Sequence, residues 1–134
     1  MRLITLPEYL MGRDVGYATD YTEQIATNAK ATVDKINEFL IRAGFDGHVD
    51  SGWRPPSLNA HTPGAAPHSK HMLALACDLF DHDERIDEYC TAHTEVLEEL
   101  GLWRESPAST PGWCHLQIVS YGSWEPGKSR TFQP

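Results

Sequence analysis

The sequence predicts a small α+β domain in which a mostly antiparallel sheet packs against two main helices. Two stretches show the apolar spacing of three and four residues that is typical of amphipathic helices. Short apolar or alternating stretches elsewhere have the length and pattern of strands. The chain has 134 residues, which is enough for one hydrophobic core, so we assign residues 1–134 to a single domain.

The first half of the chain is dominated by one long helix, predicted over residues 20–43 after a short helix at 7–11. Thr19 or Asp20 would cap its start and Gly44 would end it. Its buried face is formed by apolar residues three or four positions apart: Ile25, Ala29, Val33, Ile36 and Leu40. A strand is expected at 48–53, and the Pro-, Gly- and Ser-rich stretch that follows must be a loop.

The second half of the chain predicts a strand, a helix and a final hairpin. Residues 74–80 are apolar enough for a buried strand, and a helix over 84–100 would begin after Asp83 and end at Gly101. Residues 114–119 alternate, with Leu116 and Ile118 on one face and His115 and Gln117 on the other. A hairpin would pair this strand with 102–105, and the last dozen residues are expected to be irregular.

Composition excludes several classes of protein. A formal net charge of -8 argues against nucleic-acid binding and against a polybasic membrane anchor. No apolar run approaches the ~20 residues of a membrane helix, and the N-terminus makes a poor signal peptide. Three cysteines without a C-x-x-C pair favour neither a disulfide framework nor a cysteine-rich zinc module. We therefore expect a protein made in the cytoplasm without a signal peptide, and a monomer.

Three residues are candidate metal ligands because of where they lie. Asp78 interrupts an apolar run, where a carboxylate is costly unless it is paired or bound to metal. His71 lies just before that strand, and His115 lies on the polar face of the last strand. Two imidazoles and a carboxylate form an open zinc shell with a fourth position for water. From the residues alone, Asp78 could equally be a satisfied structural group, and the two histidines ordinary polar residues.

Three ordered motifs resemble those of a known family. Residues 69–78, SKHMLALACD, resemble the S-x-H-x-x-G-x-A-x-D signature of zinc D-alanyl-D-alanine carboxypeptidases and L-alanyl-D-glutamate endopeptidases. Residues 51–55, SGWRP, with Asn59 resemble the S-G-[YW]-R stretch of that family, and residues 113–117, WCHLQ, resemble its W-x-H-x-[QED] motif. The resemblance covers about residues 48–120. It implies a hedgehog-type zinc peptidase fold in a single-domain form similar to those of bacteriophages.

The resemblance also implies a role for each matching residue. His71, Asp78 and His115 correspond to the zinc ligands, and four further residues are implied to bind substrate: Arg54, Ser69, Asn59 and Gln117. Arg54 would grip a carboxylate of the substrate, since its planar fork suits two-point contact. Alternatives stay open: Arg54 could be a loop-closing salt bridge and Ser69 a plain turn residue, while Asn59 would tie the loop through backbone hydrogen bonds. Gln117 would contact either a metal ligand or the substrate.

Two positions depart from the family pattern. The family glycine between the first two ligands is Ala74, which would be strained at positive φ. Many relatives carry a catalytic acid three residues before the last histidine, where this chain has Gly112. We expect Glu105 to act instead as general base, brought beside His115 by the hairpin. The alternative is an exposed acid paired with Arg104 or Lys128.

Asp81 and Asp83 are a separate acidic pair after the Asp78 strand. They could bind a second cation, but capping of the next helix by Asp83 is the simpler interpretation.

The resemblance implies zinc-dependent hydrolysis of an amide bond in peptidoglycan stem peptides, with Zn²⁺ as cofactor. The expected enzyme is a phage endolysin-like carboxypeptidase or endopeptidase, and the endopeptidase is slightly favoured. The protein would act on the cell wall after release or as part of a phage particle. A second hypothesis, favoured by Gly112, is a non-catalytic zinc-stabilised cell-wall-binding or virion module. A third is a metal-free α+β domain.

Overall fold

The computed structural model describes residues 1–134 and has the predicted α+β class. Its helices are α1 (Leu6–Leu10), α2 (Arg13–Gly16), α3 (Glu23–Ala43), α4 (Pro56–Ala60), α5 (Arg85–Ala92) and α6 (Thr94–Leu100). Its strands are β1 (Val49–Ser51), β2 (Ala76–Phe80), β3 (Trp103–Glu105), β4 (Trp113–Gln117) and β5 (Thr131–Phe132). Short 3₁₀ turns cover Lys70–Leu73 and Pro107–Ser109. None of the helices combines the length and apolar character that a membrane span requires.

The five strands form one sheet in the order β1-β2-β4-β3-β5. Every neighbouring pair is antiparallel except β3 and β5, which run parallel. The predicted hairpin between the 102–105 and 114–119 segments is confirmed, since Arg104 pairs with Leu116. The C-terminal segment is not wholly irregular as predicted, because β5 adds a fifth strand at the edge of the sheet.

The two faces of the sheet differ in the way that strand alternation predicts. One face belongs to the hydrophobic core, which contains Cys77, Leu79, Cys114 and Leu116. Asp78 and His115, which lie opposite each other in register, alternate with these residues and point to the other face. The helices therefore cover one side of the sheet, and the polar side is left for a functional site.

Helix α3 provides most of the cover, and it begins later than predicted. Thr22 is the N-cap, not Thr19 or Asp20, and its hydroxyl accepts a hydrogen bond from the Ile25 N–H at 3.2 Å. The helix ends at Gly44 as expected, with φ +77°. Its buried face contains the predicted residues apart from Ile25, together with two that were not predicted: Thr32 and Phe39.

The predicted helix over 84–100 is two helices that meet at His93. Its start is also different, because Asp81 rather than Asp83 holds the first turn of α5. The two carboxylate oxygens of Asp81 accept hydrogen bonds from the Ile86 and Asp87 N–H groups, each at 2.9 Å. Asp83 is exposed, with only a 3.4 Å contact to the Arg85 N–H. Both Asp81 oxygens are thus engaged by the helix, which accounts for this acidic pair without a second cation.

Candidate metal centre

The three predicted ligands come together on the polar face of the sheet. His71 Nε2 lies 3.2 Å from Asp78 Oδ1, and His115 Nδ1 lies 2.8 Å from the same oxygen. One ligand atom from each residue falls within 4.8 Å of the others. All three side chains are buried. The chain segments that carry them are the 3₁₀ turn, β2 and β4, and the pairing of β2 with β4 places Asp78 directly beside His115.

The backbone fixes the ring orientation of His71. Its Nδ1 lies 2.8 Å from the carbonyl oxygen of Gly52, and a carbonyl can only accept, so Nδ1 carries the proton. In the neutral ring Nε2 is then the nitrogen with the lone pair; it faces the Asp78 carboxylate and is buried without a hydrogen-bond partner. Gly52 can reach this position because it has no side chain: a Cβ there would overlap the carbonyl oxygen of Tyr9.

Gln117 fixes the ring orientation of His115 in the same way. The Gln117 amide nitrogen donates to the Val119 carbonyl at 2.9 Å, so its Oε1 is the atom that faces His115 Nε2, also at 2.9 Å. His115 Nε2 therefore donates, and Nδ1 is left to face Asp78. Gln117 thus contacts His115, one of the three candidate metal ligands, and it also lines the cavity described below.

Two lone pairs and a carboxylate cannot face one another at these distances without a positive charge between them. A proton is one source of that charge. Burial lowers the pKa of His115, but its hydrogen bonds with Asp78 and Gln117 outweigh burial and raise that pKa overall. Burial would also raise the pKa of Asp78, yet His71 and His115 hold it well below its ordinary value.

A metal ion is the other source of positive charge. The buried His71-Asp78-His115 group could hold a metal ion. A proton on His115 gives that residue a partner in Asp78 but leaves the Nε2 of His71 without one, whereas a metal ion would contact both. Each imidazole also has an acceptor on its other nitrogen, an arrangement that is typical of metal-binding histidines. The donor set of two nitrogens and one oxygen suits several divalent transition metals.

The group lies in a cavity of about 560 Å³ that also contains most of the other predicted site residues. Arg54, Ser69, Glu105 and Gln117 line it. Asn59 does not line it. Its side chain instead donates to the Ala66 carbonyl at 2.9 Å and ties the loop together, as the hydrogen-bonding interpretation predicted.

Arg54 is a free cation in this cavity. Its Nη2 contacts the Ser69 hydroxyl at 3.3 Å, and its Nε is buried without a partner. It takes part in none of the ion pairs of the structure, so the loop-closing salt bridge is wrong. Burial lowers the pKa of Arg54, with Asp78 opposing that effect. Ser69 has a turn role as well, because its hydroxyl accepts from the His71 N–H at 3.2 Å.

Glu105 lies at the end of β3 and lines the cavity with His115. It is half-buried, and burial raises its pKa, an effect that His115 and His71 oppose. Neither predicted surface partner binds it: Arg104 pairs with Asp87, and Lys128 contacts the Ser123 carbonyl. Gly112, at φ +92°, stands where the motif that the sequence resembles carries an acid.

Ala74 is the other position that differs from the family motif. Its φ of +56° lies in the left-handed region, so the backbone there is strained and not extended. A glycine would adopt this conformation without steric cost.

Sequence reasoning missed the contribution of the C-terminal segment to the cavity. Tyr121 and Phe132 line it, and the ring of Phe132 meets that of His115 edge to face, with centroids 6.0 Å apart. The signal was weak, because the aromatic residues of this segment follow no strand period and are separated by Pro126 and Gly127.

The chain was compared with protein-family models, with curated proteins and with solved structures, and no match was found in any of the three.

Proposed function

We propose that this protein is a zinc peptidase that hydrolyses an amide bond in the stem peptides of bacterial peptidoglycan. The observation that carries the proposal is the unpartnered, buried Nε2 of His71 facing Asp78 and His115, in a cavity that also contains Glu105 and the free Arg54. The three ordered motifs support it. So does Ala74, because the position where the family signature has glycine is one with positive φ.

Zinc is the proposed metal, held by His71 Nε2, Asp78 and His115 Nδ1. This three-ligand set leaves a position open for water or substrate, as catalytic zinc sites do. When bound, zinc supplies a Lewis acid that polarises a carbonyl and brings the pKa of water toward ~7.

The residues of the chain supply the remaining chemistry. Glu105 takes a proton from the attacking water and passes it to the amine that leaves. Its half-buried position keeps the carboxylate poorly solvated, which favours proton acceptance. Arg54 binds a carboxylate of the substrate through its free guanidinium, and Ser69 holds that guanidinium in place at 3.3 Å. Gln117 keeps His115 in the tautomer that presents Nδ1.

Within this class the cavity suits an endopeptidase or a carboxypeptidase, since both kinds of substrate present a carboxylate near the cleaved bond. We favour the L-alanyl-D-glutamate endopeptidase, in a phage endolysin or a phage particle. The second candidate is a non-catalytic zinc-stabilised module. Two observations favour it. Gly112 stands where the family motif carries an acid, and Glu105 makes no hydrogen bond to any residue of the metal group.

The test compares three proteins on purified peptidoglycan: wild type, Glu105→Gln and the control Glu98→Gln, an exposed acid of α6. We expect release of new amino groups by wild type and Glu98→Gln, with kcat about 10²–10⁴-fold lower in Glu105→Gln. Zinc content should be the same in all three. Retained zinc with no turnover by wild type would establish the module instead. Equal turnover by Glu105→Gln and wild type would remove Glu105 from the mechanism.

A further inference from the structure

A row of side chains crosses the whole sheet on its polar face. Ser51 of β1 pairs with Asp78 of β2, and Asp78 pairs with His115 of β4. At the other edge of the sheet, Glu105 of β3 pairs with Phe132 of β5. The two parts of the row are joined through β4 and β3, which are neighbours in the sheet.

The pairing of β3 with β4 brings Glu105 beside His115. The two strands are antiparallel, with Arg104 opposite Leu116. One residue further along each strand in this register, Glu105 is opposite His115. Residues that face each other in this way have Cβ atoms ~4.5–5.5 Å apart. Glu105 therefore lies in the row between a candidate metal ligand and Phe132.

Phe132 and His115 lean toward each other over β3. Their strands lie on either side of β3, so the two backbones are ~9–10 Å apart. The centroids of the two rings are only 6.0 Å apart, and the rings meet edge to face. The two side chains must therefore incline toward β3, where Glu105 stands. The ring of Phe132 thus covers Glu105 from the edge of the sheet.

Packing, and not hydrogen bonding, holds the side chain of Glu105. It is half-buried and joins none of the ion pairs of the structure, and its carboxylate accepts no hydrogen bond from the metal group. A long side chain without polar partners keeps one conformation only where its neighbours block the others. Phe132 is the neighbour on the open side, because the row ends there.

The backbone of β5 holds Phe132 in place without the help of its ring. The Ser106 N–H donates to the Phe132 carbonyl at 2.7 Å, and the Arg104 N–H donates to the Arg130 carbonyl at 2.7 Å. The guanidinium of Arg104 donates to the Thr131 hydroxyl at 3.2 and 2.9 Å. The ring of Phe132 can therefore be removed by substitution while the strand stays paired.

Resting on the proposed peptidase function, we propose that Phe132 is a positioning residue that acts through Glu105. Its ring closes the row of side chains at the edge of the sheet and keeps the Glu105 carboxylate turned toward His115 and the metal group. Without the ring, the carboxylate can turn into the space that the ring leaves, away from the water that it must deprotonate. Phe132 itself exchanges no proton and binds no metal.

The activity test uses zinc-loaded protein and the stem pentapeptide L-alanyl-γ-D-glutamyl-L-lysyl-D-alanyl-D-alanine, which contains both candidate bonds. We expect Phe132→Ala to lower kcat about tenfold and to change KM less than about twofold, because a displaced base affects the chemical step. Phe132→Tyr keeps the ring and should stay within about twofold of the wild-type kcat. Added to Glu105→Gln, Phe132→Ala should lower kcat less than about twofold further, since no carboxylate is left to position.

Phe80→Ala is the matched control. Phe80 is an exposed aromatic residue on the same face of the sheet, two residues after Asp78, and it does not line the cavity. The control should have the kcat of wild type. Zinc content should be the same in every variant, because Asp78 and Gln117 hold His115 without Phe132.

A second measurement needs neither zinc nor turnover. The three native cysteines are buried, so Glu105→Cys adds one accessible thiol at the position in question. We expect this thiol to react with an aromatic disulfide reagent about fivefold faster when Phe132→Ala is added, because the loss of the ring exposes it. Phe80→Ala should leave the rate unchanged.

An unchanged thiol reaction rate in Phe132→Ala overturns the role of Phe132 and leaves the peptidase proposal standing. An equal loss of kcat with and without the Glu105 carboxylate, or a loss of zinc from Phe132→Ala, also overturns it, since the ring would then act by another route. A faster thiol reaction with no turnover of the pentapeptide by wild type overturns the peptidase proposal and leaves the packing of Phe132 over Glu105 standing.

Discussion

At the scale of single residues, two hydrogen bonds decide which atoms face Asp78. The Gly52 carbonyl holds the proton of His71 on Nδ1, and Gln117 Oε1 holds the proton of His115 on Nε2. Each bond turns a ring nitrogen with a free electron pair toward the same carboxylate. Metal-binding residues depend on such partners for their orientation, and removing a partner weakens metal binding about 10–100-fold in general.

Gln117→Leu tests this arrangement directly. The substitution removes the acceptor of the His115 Nε2 proton, so the ring is free to turn and present the wrong nitrogen. We expect the zinc dissociation constant, measured by competition with a chelator, to rise about 10–100-fold. Gln117→Glu keeps an acceptor and should bind zinc at least as tightly as wild type. Gln24→Leu, on the exposed side of α3, is the control. Equal affinity in Gln117→Leu and wild type would contradict this role.

The pH dependence of metal binding follows from His115. In the metal-free protein Asp78 and Gln117 raise the pKa of His115 above 6.5, outweighing burial, so a proton occupies the group where a metal would bind. The metal must displace that proton, and the apparent affinity therefore falls as the pH is lowered through the raised pKa. We expect the fall to begin above pH 6.5, in calorimetric titrations between pH ~5 and pH ~9. An affinity that does not change over this range would count against imidazole ligands.

Two of the three candidate ligands could be recognised from the local sequence pattern, whereas some of the residues that orient them could not. Asp78 interrupts an apolar run, and His115 alternates with apolar residues. The local pattern therefore predicts that both side chains point to the face of the sheet opposite the hydrophobic core. The contact between His71 and Gly52 joins residues 19 positions apart and depends on the approach of β1 to α1. No local pattern contains that information. The hydrogen bond of Asn59 to the Ala66 carbonyl agrees with the expected loop-tying role, although the sequence did not identify Ala66 as the partner.

At the scale of elements, the start of α5 shows why helix caps are hard to assign from sequence. Asp81 and Asp83 both precede the helix at plausible positions. A long-range contact decides which of the two caps the helix. The Asp81 N–H donates to the Gly112 carbonyl at 2.9 Å, and this bond places the Asp81 carboxylate beneath the first turn of α5. The break at His93 was also missed, because neither glycine nor proline marks it.

Asp81→Ala should destabilise the protein by about 2 kcal/mol, since it removes two charge-assisted hydrogen bonds from a buried helix start. Asp83→Ala, two residues later and exposed, should change the free energy of unfolding by less than about 0.5 kcal/mol. Urea denaturation followed by circular dichroism measures both. Equal effects of the two substitutions would contradict the assignment of Asp81 as the capping residue.

The strand at the C-terminus was missed for a physical reason. β5 has two residues, too few for a visible alternation, and it is held by β3 and by the side chain of Arg104. That arginine is buried and pairs with Asp87 at 3.3 Å, so one side chain joins α5 to the far edge of the sheet. Such long-range polar contacts are invisible to a reading of local periodicity.

At the scale of the whole molecule, we expect the fold to be independent of a bound metal. The core of 19 buried hydrophobic residues lies on the helix side of the sheet, away from the metal group. The metal-free chain should therefore stay folded, and metal binding should only add stability. Zinc at about 100 times its dissociation constant should raise the free energy of unfolding by about 2.7 kcal/mol.

Thermal denaturation with zinc and with a chelator checks this expectation. The melting temperature should be higher with zinc, while the far-ultraviolet circular dichroism at room temperature should be the same in both samples. His71→Ala should show no such difference between the samples. Loss of the folded signal in the chelator would contradict a metal-independent core.

The most direct test of the whole proposal is a crystal of the zinc-treated protein, measured on both sides of the zinc absorption edge. We predict one anomalous peak per chain, about 2.0–2.2 Å from His71 Nε2, His115 Nδ1 and an Asp78 carboxylate oxygen. A map with no peak among these three atoms, or with zinc bound by other histidines in their place, would contradict it.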